Sequence, residues 1–570
     1  MDLGLDRLAD DYLNVTLTLN PFNATIGGVP GYDAEVPDPS RTAALAAARR
    51  LDEIAERAGA IDPSALAPGD RTTRAVLVAT ARNESAQLVA ALDEFAVTAT
   101  TIGAQTALIA TVPRAPLVSE RHALDYLARC AKLGGWIDGV GERYRQAAGD
   151  GRTPTESGTR QAIAQIDALL QAPVERDPIV VATRRPDPPR DGLPAEVAEL
   201  VATVVRPALR RLRTTLREDL LPVSRPDDQV GVCHVPGGRE GYAAAVRAHT
   251  TTALSPDEIH AVGVDLLRGL REEFSELGGR ALGTSEVDAV LDRLRHDPAL
   301  RFRESGEIVA SATTALARAD GALPDRFHAY DVAPCVVTEM SEFEATDSVL
   351  GYYVPPATDG SRPGMHCVNT HSPTQRPRYE YETLAFHESV PGHHLQTAVA
   401  QGLTDLPMFR RVGYLPAYSE GWALYTERLC DEMGLYTSDL ERLGMVSFDA
   451  WRACRLVVDT GMHHLGWSRQ QAIDHMLGNT ALSPGNIANE VDRYVAWPGQ
   501  ALAYMIGRLR IRSLREEVEA RSGPALDLRD FHDAVLRHGA VPLDVLEAEV
   551  RADGRLGRPG REAPGPRPGS

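Results

Sequence analysis

The segment Leu384-Ala385-Phe386-His387-Glu388-Ser389-Val390-Pro391-Gly392-His393-His394-Leu395-Gln396 carries the residue types of metal-assisted hydrolysis. Two neutral imidazoles can hold a zinc ion while an adjacent carboxylate takes a proton from its water. In the usual His-Glu-x-x-His spacing the histidines share one helix face, but here that fourth position is Pro391. On a straight helix His393 lies about 240° round from His387, and His394 returns to the face about 10.5 Å along the axis. A straight helix therefore serves poorly. Pro391 cannot donate to the carbonyl of His387 and Gly392 tolerates unusual dihedrals, so a bulge or kink is expected there. Looping out two residues brings His393 to the second-ligand position, with His394 as the alternative. The plainer account makes both of them polar residues at a helix kink.

A hydrolytic zinc site also needs a third ligand and an open position. Downstream, Tyr418-Ser419-Glu420-Gly421-Trp422-Ala423-Leu424-Tyr425-Thr426-Glu427 reads as a helix with Glu420 and Glu427 on one face, two turns apart. The step from His387 to Glu420 allows a helix, a loop and an antiparallel return. Tyr494 and Tyr504 flank Pro498-Gly499-Gln500, and either hydroxyl, or the His463 ring, could donate to the oxyanion of a carbonyl under attack. Arg452, Arg455 and Arg493 admit two readings. They pair with Asp459 and Glu490 inside a helical core, or they clamp a substrate carboxylate with their planar forks.

The elements that must position these groups are mostly helices. Residues 41–59, 73–96, 156–173, 194–222 and 255–279 place Ala, Leu, Val and Ile at three–four spacing, the last behind a Ser-Pro-Asp-Glu cap. Strand-like segments are few and adjacent: 326–340, 350–356 and 364–370, immediately before the His-Glu segment. Gly351-Tyr352-Tyr353 and Gly364-Met365-His366 could give an edge that aligns an extended substrate. Pro-rich breaks fall at 184–194 and 221–238. The second is taken as the lobe boundary, giving an N-terminal helical lobe over 1–225, a metal-site lobe over 226–553 and a disordered Gly/Pro/Arg tail over 554–570.

At 570 residues, 43 % hydrophobic and 24 % charged, the chain is long enough for a large core and is neither fibrous nor disordered. A formal charge of −19 disfavours nucleic acid and anionic membrane surfaces as partners. The six scattered cysteines have no C-x-x-C spacing, which fits a reduced compartment. With an acidic N-terminal stretch and no long apolar run, the expectation is a soluble cytoplasmic protein.

Four stretches, HESVPGHHLQ, SEGWALYTERL, RACRLVVDTGMHHLGWS and RYVAWPGQALAYMIG, together resemble the bacterial family called domain of unknown function 885. NPFNATIGGVPGYDAEVPD and PGGREGYAAAVRAHTTTALSPDEIHAVG extend the resemblance upstream. The family is similar in site layout to thimet-type oligopeptidases and thermostable zinc carboxypeptidases. That resemblance implies a mainly α, gluzincin-like fold with one small sheet beside the active-site helix. It makes His387 and His393 zinc ligands, Glu388 the general base and Glu420 the third ligand. The function expected is a zinc-dependent hydrolase cleaving an amide bond, in a short peptide or, alternatively, in a small metabolite. A non-catalytic binding protein on the same fold is the remaining alternative.

Overall fold

The computed structural model describes residues 3–184, 189–340, 349–357, 360 and 362–556. The predicted tail lies outside the described residues from 557 onward, as do residues 185–188 of the first Pro-rich break. Helix accounts for 71 % of the chain, so the protein is mainly α. The amphipathic segments fold as their periods require, for instance Arg41–Ala60 and Glu156–Gln171. Pro256–Leu282 opens on a full capping box, Ser255 and Glu258 each satisfying the other's backbone N–H. The segment 194–222 is less regular than its period suggests. Wide π turns at Val201–Val205 and Thr215–Leu220 precede Pro207 and Pro222, where a proline has no N–H to continue the ladder. Among the described residues no helix is long and apolar enough to cross a membrane.

Among the described residues one sheet forms from three strands, β1 (Cys335–Glu339), β2 (Gly351–Val354) and β3 (Gly364–Val368), in the order β1-β3-β2. β3 pairs parallel with β1, Cys335 opposite Gly364, and antiparallel with β2, Gly351 opposite Val368. The first strand is shorter than the 326–340 read from sequence. Residues up to Pro334 stay irregular, and only the β-branched run after that proline joins the ladder.

Apolar packing does not divide at residue 225. Leu5 to Phe95 belong to the same core as Val230 to Leu556, whereas a second core is built almost entirely from residues between Val97 and Leu220. The Pro-rich break at 221–238 therefore does not coincide with the division between these two apolar cores. Helices such as Pro68–Ala90 present Val76, Leu77 and Ala81 to the metal-site core, and a proline cluster marks a chain turn without showing which core its flanks join.

Two long contacts hold the site helices. Pro256–Leu282 lies along Asp439–His463, and Pro416–Glu432 along Ala503–Ser522. The second pair meets backbone to backbone. A Cβ on Gly421 would overlap Gly507, and one on Gly507 would overlap the Ala417 carbonyl. The chain next to Glu420 is thus fixed by close main-chain approach, which only glycine permits.

Candidate metal centre

The His-Glu helix runs Tyr381–Glu388 and stops; a second helix begins at His393 and ends at Gly402. The kink expected from sequence is a complete break. Residues 389–392 leave helical geometry, Val390–Pro391 is a cis peptide, and a Cβ on Gly392 would overlap the carbonyl oxygens of Phe386 and His387. The His394 amide then donates to the Ser389 carbonyl at 3.1 Å, and Trp422 Nε1 donates to the Pro391 carbonyl at 2.9 Å.

This break brings His393, not His394, to His387. The two rings lie 4.7 Å apart at 85°, and Glu420 Oε2 sits 3.5 Å from His387 Nε2 and 3.4 Å from His393 Nε2. The donor atoms of His387, His393 and Glu420 all lie within 4.8 Å of one another. Tetrahedral zinc with bonds of about 2.0–2.2 Å separates its ligand atoms by about 3.3 Å. The nitrogen–oxygen gaps match that spacing and exceed the 2.7–2.9 Å of a charge-assisted hydrogen bond, so the three groups converge without closing on each other. The donor set fits zinc. His394 is held elsewhere: Nε2 lies 2.8 Å from the Ala333 carbonyl and Nδ1 3.1 Å from the Tyr353 hydroxyl. A neutral ring that donates from Nε2 and accepts at Nδ1 satisfies both contacts.

Glu427, fully buried, lies behind the site with Oε1 2.7 Å from His387 Nδ1, which directs Nε2 toward Glu420. The sequence had shown Glu427 on the Glu420 face without showing which histidine it would meet. Tyr414 has no sequence signal, since it lies where helical period is absent, and Tyr353 reads from sequence only as part of a strand edge. The Tyr414 hydroxyl donates to Glu420 Oε1. The Tyr353 ring, on β2, lies 6.5 Å from that of His393 and inclined by 21°.

The electrostatics follow from burial and these pairings. Burial disfavours a charged His387, but its bonds to Glu420 and Glu427 outweigh that and raise its pKa to about 9. Burial likewise opposes a charged Glu420, yet the two imidazoles hold it well below the usual carboxylate range. Glu388 is raised, chiefly by burial and further by Glu420, although both imidazoles and Arg452 act the other way. A metal must displace the proton that His387 carries below about pH 9. Apparent zinc affinity is therefore expected to rise between pH 6 and pH 8, by about tenfold per unit for one displaced proton. Chelator competition at three pH values checks this, and a flat profile would contradict it.

The remaining candidates separate. Tyr504 is close enough to Glu420 to feel its charge, its ring lies 4.3 Å from the Arg455 guanidinium, and its hydroxyl has no hydrogen-bond partner among the described residues. Tyr494 is fully buried and engaged, accepting from Trp451 Nε1 at 3.0 Å and Arg455 Nε at 2.8 Å while donating to Glu490. His463 is also fully buried. Nδ1 accepts from the Val232 amide at 3.2 Å and Nε2 bonds the Tyr494 carbonyl at 3.0 Å, so neither nitrogen is left for an oxyanion. That corrects the expectation for both residues: their polar atoms are consumed in joining helices. Arg455 and Arg493 each contact Glu490 at 3.1 Å. Asp459, expected to share that pairing, instead accepts from the Tyr242 hydroxyl at 2.6 Å and the Gly499 amide at 3.1 Å. Arg452 has no carboxylate within ion-pair distance among the described residues.

Fold and site together define a mainly helical protein with a buried two-histidine, one-glutamate cluster. The chain belongs to the family described as "Bacterial protein of unknown function (DUF885)", which matches residues 21–550. A solved structure described as "the putative lipoprotein from Colwellia psychrerythraea" is 26 % identical, with a TM-score of 0.89 over 96 % of this chain and 98 % of that one. A second, "a putative lipoprotein of unknown function from Shewanella oneidensis", shares the fold at 15 % identity, with a TM-score of 0.72 over 95 % and 99 % of the two chains. No curated protein matches the chain.

Proposed function

We propose that the protein is a zinc-dependent hydrolase that cleaves an amide bond, with short peptides as substrates, on a gluzincin-like arrangement of helices. The observation that carries this reading is the convergence of His387, His393 and Glu420, with Glu388 beside the first ligand and Glu427 behind it. Zinc held by the three residues would supply a Lewis acid that polarises the scissile carbonyl and acidifies water.

The chain's own groups do the rest. Glu388 follows a ligand in sequence without being one, and it accepts the proton of the attacking water and returns it to the leaving amine. A pKa raised by burial moves it toward working pH, where such a transfer is most effective. Glu427 holds Nδ1 of His387 and so fixes the tautomer and the ring. Tyr414 orients Glu420 through its second oxygen. The uncommitted Tyr504 hydroxyl is the donor for the oxyanion, in preference to the committed Tyr494 and His463.

Elemental analysis of purified protein together with digestion of a mixed peptide library tests the reading. About one zinc per chain with defined cleavage products is the expected result. Protein that takes up no zinc, or zinc-loaded protein that cleaves no peptide, would overturn it. Cleavage of small amides alone would move the substrate to metabolites.

A further inference from the structure

Three arginines, Arg452, Arg455 and Arg493, gather on the neighbouring rings of Trp451 and Tyr494. Arg452 is 5 % exposed and Arg455 3 %, and both guanidiniums lie 4.5 Å from the same Trp451 ring. Arg493 adds a third positive charge. One carboxylate, Glu490, serves Arg455 and Arg493. Arg452 lies flat against Phe448 as well, at 4.3 Å, and its one hydrogen bond is a long contact of 3.5 Å to the Phe448 carbonyl. Its Nε and the Nη1 of Arg455 are buried donors with no partner among the described residues. Arg206 and Arg410, equally buried, also keep unpartnered nitrogens, but Arg206 faces Asp177 and Arg410 donates to Thr73 and the His538 carbonyl; Arg452 has neither a carboxylate nor a short hydrogen bond among the described residues.

An uncompensated buried guanidinium is costly, so a fold that keeps one open calls for an anion to complete it. Glu380 is a poor candidate. Burial pushes its carboxyl up to about 7 in spite of Arg301 and Arg452, so it is partly neutral at working pH. The aromatic contacts fix the plane of Arg452 and leave its edge, the side with the donors, available. Its charge is felt at Glu388 and at Tyr504, so the guanidinium lies within electrostatic range of both groups.

We propose that Arg452, together with the free Nη1 of Arg455, forms a carboxylate-binding subsite that selects peptides with a free C-terminal carboxylate. Arg493 is outside the subsite, its three nitrogens being spent on Glu490 and Gln500. The inference rests on the amide-hydrolase reading for its substrate, but its geometry does not depend on turnover. Planar guanidinium donors match a carboxylate and gain little from a neutral amide.

The test is affinity selection from an equimolar library of N-acetylated tripeptides, each present as free acid and as C-terminal amide. The full-length, zinc-loaded Glu388→Gln protein keeps peptides intact, and the bound fraction is read by mass spectrometry. Free acids are expected to be enriched about 10- to 100-fold over amides, the range for a hydrogen bond to a charged group. Adding Arg452→Gln is expected to bring the ratio toward one, and Arg452→Lys, which keeps charge without the fork, to restore it in part. Equal retention of acids and amides, no retention of either, or an unchanged ratio in folded Arg452→Gln protein would overturn the proposal. If Arg452→Gln does not fold, a fall in the ratio on Arg452→Lys supports the subsite and an unchanged ratio rejects it. Zinc content and wild-type cleavage are measured separately, so a failure of the hydrolase reading is distinguishable from a failure of the subsite.

Discussion

On the proposed function, Glu388→Gln protein is expected to bind zinc as well as wild type and to turn over about 10²–10⁴-fold more slowly, the contribution typical of a general acid–base group. Glutamine keeps the size and the packing of a side chain at the end of the His-Glu helix. It cannot accept the proton of water or return one to an amine. The groups that would hold the ion are His387, His393 and Glu420, so the metal is expected to stay in place. The comparison that matters is kcat at saturating substrate, with zinc measured on the same preparation. A Gln variant with near wild-type kcat would remove Glu388 from the chemistry while leaving the metal site intact.

Removing His387 and Glu420 together, as Ala, is expected to abolish zinc retention through gel filtration, because one imidazole cannot hold the ion alone. The graded member of the same series is Glu427→Gln. Its carboxylate touches no metal position but holds His387 Nδ1 at 2.7 Å, and losing such an outer partner typically lowers metal affinity by about 10- to 100-fold. His394→Ala is the control. That ring bonds Ala333 and Tyr353, so zinc content should not change even though the neighbouring sequence position carries a ligand. Full zinc retention in the double variant would dismiss the site, and a loss on His394→Ala would reverse the assignment of the second histidine.

Much of this arrangement was legible because helical period is local. The His-Glu helix, the Glu420 helix and the three short strands announce themselves through apolar spacing and through Pro and Gly at their ends. The choice between His393 and His394 was not legible. It depends on how four residues, 389–392, leave one helix and enter another, and spacing alone cannot distinguish a bulge from a full break. The roles of Tyr494 and His463 were misread for a related reason. Their types suit an oxyanion, but only tertiary packing shows that their polar atoms are already bonded to Arg455, Trp451, Val232 and one another. Tyr414 and Tyr353 stand in an irregular segment and on an edge strand, where no period signals which way a side chain faces. The membership of the two apolar cores was not legible either, because linker composition marks a turn in the chain and carries no information on which hydrophobic surfaces meet afterward.

Trp422 stands two residues after Glu420 and grips the Pro391 carbonyl in the break that delivers His393. One helix therefore carries Glu420 and also clamps the loop that sets His393. If that helix slides or tilts as the protein breathes, Glu420 and the 389–392 loop travel with it as a unit. The spacing between His393 and Glu420 then survives motions that would pull two separately anchored groups apart. The centre behaves less like three residues that happen to meet than like a jaw whose two sides share one hinge pin.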